Sequence, residues 1–258
     1  MKIKHHIKKV FLLAFWIGVS AGIMVLLVAA IRVRKDETCR GYAVHITGRG
    51  EKRFMDEKQV VELLSVQGVI RGRSLKRFHL QDIEAKLERI AWVRNAELYF
   101  DNNQVLQARI EEKEPIARIF TTDGNSYYIS RNGEYLPLSA HYSAKLPVFT
   151  NFPATRSKMD RADSLLILDI EHVSDYLLKN SFWMSQIAQI DITPARNLEM
   201  VPVIGNHIIE FGDGKDCEKK FHRLMLFYQK VLSQTGMDAY ERIKVQYAGQ
   251  IVGVKHEN

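Results

Sequence analysis

The 258-residue sequence predicts an α+β protein with a single N-terminal transmembrane helix, a first domain of strand-helix-helix-strand-strand order, and a second, β-rich domain with flanking helices. Three observations predict it. An uncharged run of 22 residues lies near the N-terminus. Behind it, apolar spacing switches between the helical period of about 3.6 and the strand period of about 2. In the C-terminal half, Asp-Gly and Asn-Gly pairs divide the chain into short runs that suit hairpins.

The first element is the run from Val10 to Ile31, "VFLLAFWIGVSAGIMVLLVAAI". At a rise of about 1.5 Å per residue it reaches roughly 33 Å, enough for a hydrocarbon core of about 30 Å. A cleaved signal peptide is the rival reading, since Val28 and Ala30 can mimic a cleavage site, but its apolar region is normally only about 7 to 15 residues. Lys2, Lys4, Lys8 and Lys9 precede the run, and Arg32, Arg34 and Lys35 follow it. The positive-inside bias predicts a cytoplasmic tail at 1–9, a single membrane span at 10–31, a linker at 32–41 and an extracytoplasmic remainder of the chain. Those seven basic residues account for the whole net charge of +7, because the rest of the chain balances 30 basic against 30 acidic residues. With no basic surplus beyond the membrane, a nucleic-acid partner loses its main support.

In the first domain, "YAVHIT" at 42–47 alternates as a short strand. "MDEKQVVELLSVQG" follows with Asp56 as N-cap, apolar Val60, Val61, Leu63 and Leu64, and Gly68 as a stop. After the basic loop "GVIRGRSLKRF", the segment "LQDIEAKLERI" places Leu80, Ile83, Leu87 and Ile90 on one helical face. The period then changes: Ala96, Leu98 and Phe100 share one face of a strand, "DNN" turns, and Leu106, Ala108 and Ile110 share the buried face of the return strand. A three-stranded sheet with two helices on one face is the simplest packing that buries these faces.

In the second domain, "ARIF", "SYYIS" and "GEYLPL" read as strands separated by Asp123-Gly124 and Asn132-Gly133, and "KLPVFTNFP" breaks the pattern with Pro147 and Pro153. A helix is predicted from Arg161 to Leu178 with Leu165, Leu168, Val173 and Leu177 on its apolar face. "IAQIDIT", "LEMVPV" and "HIIEF" read as strands, and "KDCEKKFHRLMLFYQKVLSQ" as an amphipathic helix capped by Asp216. "RIKVQY" and "QIVGVK" close as a hairpin around Ala248-Gly249.

On these residues the chain resembles the FtsQ (DivIB) family of bacterial cell-division proteins. The most specific stretch is 80–118: a helix leading to Trp92-Val93, then Ala96, two alternating strands, and Glu112 shortly before Pro115-Ile116-Ala117. The phrase "YYISRNGEYLPL" is similar to the hairpin that opens the family's β domain. The resemblance implies a POTRA domain at 42–112, a β domain at 113–258, and a non-enzymatic septal scaffold without a cofactor. It implies FtsB/DivIC-like and FtsL-like coiled-coil partners near the last strands, and other divisome proteins at the POTRA domain. The family's important tyrosine corresponds to Tyr247, with Gln246, Ala248, Gly249 and Ile251 as its neighbours in the partner-binding stretch. The family often has an arginine where this chain has Gln246.

Other constellations are weaker. Glu111, Glu112 and Glu114 form an acidic triplet, but alternate strand residues diverge, so a solvated strand end at a domain joint is expected. The nine histidines lack a metal-binding spacing, and "DGKDCE" lacks the ordered positions of a calcium loop. Cys39 and Cys217 do not form a disulfide framework. The basic stretch "RGRSLKRFH" is either a solvated loop or a face for lipid headgroups or an acidic partner. Two alternatives stay open: an anchored envelope enzyme acting on peptidoglycan or peptides from an acid-lined cleft, and a Tyr247 that merely packs on its own domain.

Overall fold

The computed structural model describes residues 14–29, 38–48, 53–69, 71–153 and 161–256. Residues 14–29 are helical with almost every side chain exposed, including Phe15, Trp16 and Leu26. They form the middle of the predicted span, whose ends at 10–13 and 30–31 lie outside the described residues, as do the predicted tail and most of the linker. Among the described residues no helix is long and apolar enough to cross a membrane.

The chain divides into two compact units. The first comprises the described residues of 1–45, 57–87 and 96–110, and the second the described residues of 46–56, 88–95 and 111–258.

The expected order holds through the first half: β1 (Gly41–Thr47), α1 (Glu57–Val66), α2 (Leu80–Leu87), β2 (Val93–Phe100) and β3 (Val105–Glu112). The three strands form one sheet in the order β1-β3-β2. Helix α1 buries Val60 and Leu64 and ends at Gly68, whose φ of +88° suits glycine because no Cβ opposes it. Helix α2 buries Ile83 and Leu87 and stops there, three residues before Ile90, which instead accepts a turn hydrogen bond from the Val93 N–H at 2.9 Å. Strand β3 buries Leu106, Ala108 and Ile110, as its alternation requires. The β2–β3 turn is tied by Asp101, whose Oδ1 accepts from the N–H groups of Asn103 and Val105 at 2.9 Å each.

The second unit is built on a nine-stranded sheet. In chain order its elements are β4 (Pro115–Thr121), β5 (Ser126–Ser130), β6 (Tyr135–Leu136), β7 (Val148–Phe152), α3 (Arg161–Lys179), α4 (Ser181–Gln186), β8 (Ile187–Ile192), β9 (Leu198–Pro202), β10 (Ile208–Gly212), α5 (Cys217–Phe227), β11 (Arg242–Lys244) and β12 (Val252–Val254). The sheet order is β12-β11-β10-β9-β8-β7-β4-β5-β6. Both predicted hairpins and the final one form, and β12 occupies the sheet edge. Three neighbouring pairs are parallel, β4 with β7, β7 with β8 and β10 with β11, and parallel pairs need crossovers. Helices α3 and α4 supply one between β7 and β8, and α5 supplies another between β10 and β11.

Three expectations are corrected. Pro147 and Pro153 do not break the sheet but bracket β7, an interior strand; outside the ladder their missing N–H groups cost nothing, and the Pro147 carbonyl accepts from Arg118 N at 2.9 Å. Helix α3 spans almost the predicted range, but it buries Leu166, Ile170, Val173 and Leu177, while Leu165 and Leu168 are 55% and 48% exposed. The 4-3-4 spacing keeps one narrow stripe on the sheet, and 165 and 168 fall outside it. Asp216 precedes α5 in a left-handed conformation (φ 49°, ψ 30°) and makes no capping hydrogen bond; its Oδ1 accepts from Lys219 Nζ at 2.9 Å instead. The short helix α4 was not foreseen; Asn180 starts it by accepting from Trp183 N at 3.1 Å.

Register decides what each face of the sheet carries. On one face Ile119, Phe149, Ile190, Met200, Ile209 and Ile243 lie side by side across six strands, all 0% exposed. Phe221 and Leu224 of α5 and Leu166, Ile170, Val173 and Leu177 of α3 belong to the same core. On the other face, Thr150, Asp191, Glu199, Glu210 and Lys244 make a polar row. Arg242 joins it by ion pairs to Glu199 and Glu210, and the hydrogen bond that it donates to Glu210 holds its guanidinium pKa above the ordinary value.

Candidate functional site

The five residues expected to bind a partner form one contiguous corner between β11 and β12, and the structure divides them into anchors and projections. Val245 is fully buried. Gln246 is half-buried; its Nε2 donates to Glu210 Oε2 at 3.3 Å, and its side chain lies across Gly212, where a Cβ would come within 2.9 Å of Gln246 Cβ. Ile251 is half-buried against the core. Between these anchors Tyr247, Ala248 and Gly249 are exposed, with Gly249 at φ +74°.

Helix α5 stiffens the corner. Arg223 Nη2 donates to the carbonyls of Val245 and Tyr247 at 3.1 and 3.2 Å, so a guanidinium clamps the chain on both sides of Gln246. Tyr247 is 45% exposed and Val252 39%, which leaves the flank of β12 open to solvent. An edge strand with unpaired backbone groups can accept another strand, and an exposed aromatic beside it supplies contact area at small entropic cost. Sequence reasoning missed Arg223 and Tyr240. The signal for Tyr240 was Gly253 inside a strand, where glycine commonly marks a close approach: a Cβ at 253 would lie 2.5 Å from Tyr240 Cε1.

The acidic triplet does not converge. Glu111 pairs with Arg94 at 3.4 Å, while Glu112 points to the opposite face and is only 7% exposed. This corrects the solvated reading for Glu112. Its Oε1 accepts from Met55 N at 2.6 Å, and it holds a segment whose Phe54 stacks on Trp92 at 4.0 Å within the second unit. Burial raises the Glu112 pKa despite the backbone donors and Arg53. Its stability contribution is therefore fully present below the ordinary value of 4.5 and is lost as the pH rises through the raised value. Glu112→Gln should equal or exceed the wild type in stability at pH 7, because the amide oxygen still accepts and no charge is buried. Glu112→Ala should lose about 1–3 kcal/mol by orphaning the Met55 N–H. Urea denaturation at pH 5 and 8 checks both signs.

A hollow of ≈ 780 Å³ is the acid-lined candidate for an enzyme, with His172, Asp175, Asp216, Cys217 and Glu218 on its wall. Three of its groups are committed elsewhere or chemically quiet. Asp175 pairs with Arg131, and Asp216 pairs with Lys219. Burial pushes the Cys217 thiol up to about 12, the reverse of what a nucleophilic thiolate requires. Both cysteines are free thiols. His207 is a core histidine: Nδ1 donates to the Met237 carbonyl at 3.1 Å, which leaves Nε2 to accept from the Tyr228 hydroxyl at 2.8 Å. Burial lowers the His207 pKa and pushes the Tyr228 hydroxyl up to about 12. Among the described residues no group of three or more His, Cys, Asp or Glu could hold a metal ion.

Comparisons with known proteins fall on both halves of the chain. Residues 114–254 match a family model described as FtsQ/DivIB, C-terminal related, and residues 37–111 match a POTRA-like domain. The chain is 23% identical over 226 residues to the cell division protein FtsQ of Geotalea daltonii, covering 83% of this chain and 80% of that one.

Proposed function

The chain belongs to the FtsQ/DivIB, C-terminal related family, and from that premise we propose that it is a non-enzymatic, membrane-anchored scaffold of the bacterial cell-division complex. In this reading a POTRA-like domain is followed by a β-rich region with helices, and residues 10–31 hold the chain in the inner membrane with its domains outside the cytoplasm. Its partners are other division proteins: FtsB/DivIC-like and FtsL-like coiled-coil proteins at the β12 edge, and further divisome proteins at the POTRA-like domain.

The observation that carries the reading is the open edge of β12 beside an exposed Tyr247, with Arg223 bracing the corner from behind. Recognition of this kind uses main-chain pairing for affinity and neighbouring side chains for specificity. The Tyr247→Asp chain should keep its circular dichroism spectrum and melting temperature and bind the purified FtsB-like protein of the source organism at least 30-fold more weakly. Unchanged affinity would remove Tyr247 from the site. A truncation beginning at 243 is the poorer test, since Ile243 and Val245 are 0% exposed and their loss opens the core.

A further inference from the structure

We infer that Tyr240 and Gly253 set the register of the strand that docks on β12, and that this strand carries an apolar side chain beside Gly253, seated on the Tyr240 ring. The inference rests on the edge-binding reading above and adds the chemistry of the partner strand.

The apolar row of the sheet runs from Ile119 to Ile243 without an exposed member, and its next position, paired with Ile243, is Gly253. The row stops there without a side chain. No positive φ demands glycine at 253, so space is the reason: a Cβ would lie 2.5 and 2.6 Å from Tyr240 Cε1 and Cδ1. The ring therefore covers the row's open end. It is held from the other side by Phe227 of α5, with ring centroids 5.3 Å apart and planes at 65°.

A strand added to β12, parallel or antiparallel, points the residue directly beside Gly253 to the same face as Ile243. That residue meets an aromatic shelf and continues a dry row, so it is apolar. Its two chain neighbours point to the other face, beside Val252 and Val254, where the next residues inward are Lys244 and Arg242. A slip of one residue would set those neighbours on Tyr240 and carry the apolar residue to the charged face. The two faces thus discriminate register by polarity, and Tyr240 is the positioning residue on the apolar side.

The test measures affinity of the full chain, in detergent, for the purified FtsB-like protein. Tyr240→Ala and Gly253→Ala should each weaken binding at least tenfold, while Tyr240→Phe stays within threefold, because the ring and not its hydroxyl makes the shelf. An aspartate scan of the partner strand leaves this chain's folding untouched and should give losses at every second position, greatest beside Gly253. A photo-cross-linker replacing Val252 reports edge occupancy separately. Cross-linking together with threefold or smaller effects of Tyr240→Ala and Gly253→Ala, or a scan without alternation, overturns the inference and leaves the edge reading standing. Absence of cross-linking overturns the edge reading, and the inference with it.

Discussion

Trp183→Ala should cost about 3–5 kcal/mol of unfolding free energy, the usual range for emptying a large aromatic site. Trp183 is 1% exposed and lies 5.2 Å from Phe221, 5.4 Å from Tyr228 and 4.9 Å from Phe182, measured between ring centroids. Tyr176 and Phe211 pack on Phe221 from other directions, so the cavity would be walled by rings that cannot all collapse into it. Against a total stability of about 5–15 kcal/mol this is a large fraction, and the melting temperature should fall by roughly 10 °C. The damage should reach the β12 edge as well. Phe221 and Arg223 share α5, and Arg223 holds Val245 and Tyr247 in place. Trp183→Phe should recover about half of the loss. Denaturant titration with calorimetry tests this, and an alanine variant within 1 kcal/mol of the wild type would refute the role given to Trp183.

Gly214→Ala is the second large effect. A Cβ at 214 would stand 2.6 Å from Asp169 Cα and 2.7 Å from its carbonyl oxygen, so it meets helix backbone that cannot swing aside. The Gly214 N–H also serves the Asp169 carboxylate and lowers its pKa, although burial raises that pKa by more. One added methyl therefore overpacks the contact and pulls the donor away. The expected loss is at or above the top of the usual overpacking range of about 1–3 kcal/mol, for one carbon atom. Gly124→Ala is the control for the generic cost of replacing glycine: nothing lies within 4 Å of a Cβ there, although its φ of +84° carries its own strain. If Gly214→Ala proves no worse than Gly124→Ala, the close approach of α3 to the start of α5 is not a structural constraint.

The corner between β11 and β12 was legible in part. Tyr247 and its neighbours came from the resemblance, and hairpin spacing around Ala248-Gly249 put them at the end of a sheet. That Gln246 and Ile251 face inward while Tyr247 faces water follows from Glu210, Gly212 and the core, which are distant in sequence. Helix α3 teaches the same point. Its range was plain from composition, yet Leu165 and Leu168 are as apolar as Leu166, and only the sheet beneath selects which leucines are buried.

Local chemistry was enough for every strand except β7, for the turns at Gly124 and Gly133, and for the bounds of α1 and α3, because alternation, helical spacing and positive φ depend on a few adjacent residues. Pairing was beyond its reach. The parallel alignment of β10 with β11, the interior place of β7 between two prolines, the burial of Glu112 and the roof that Tyr240 makes over Gly253 all join residues far apart in the chain. Such contacts form only when the whole sheet has assembled, since the energy that selects one register or one buried face comes from the opposing surface rather than from the segment itself.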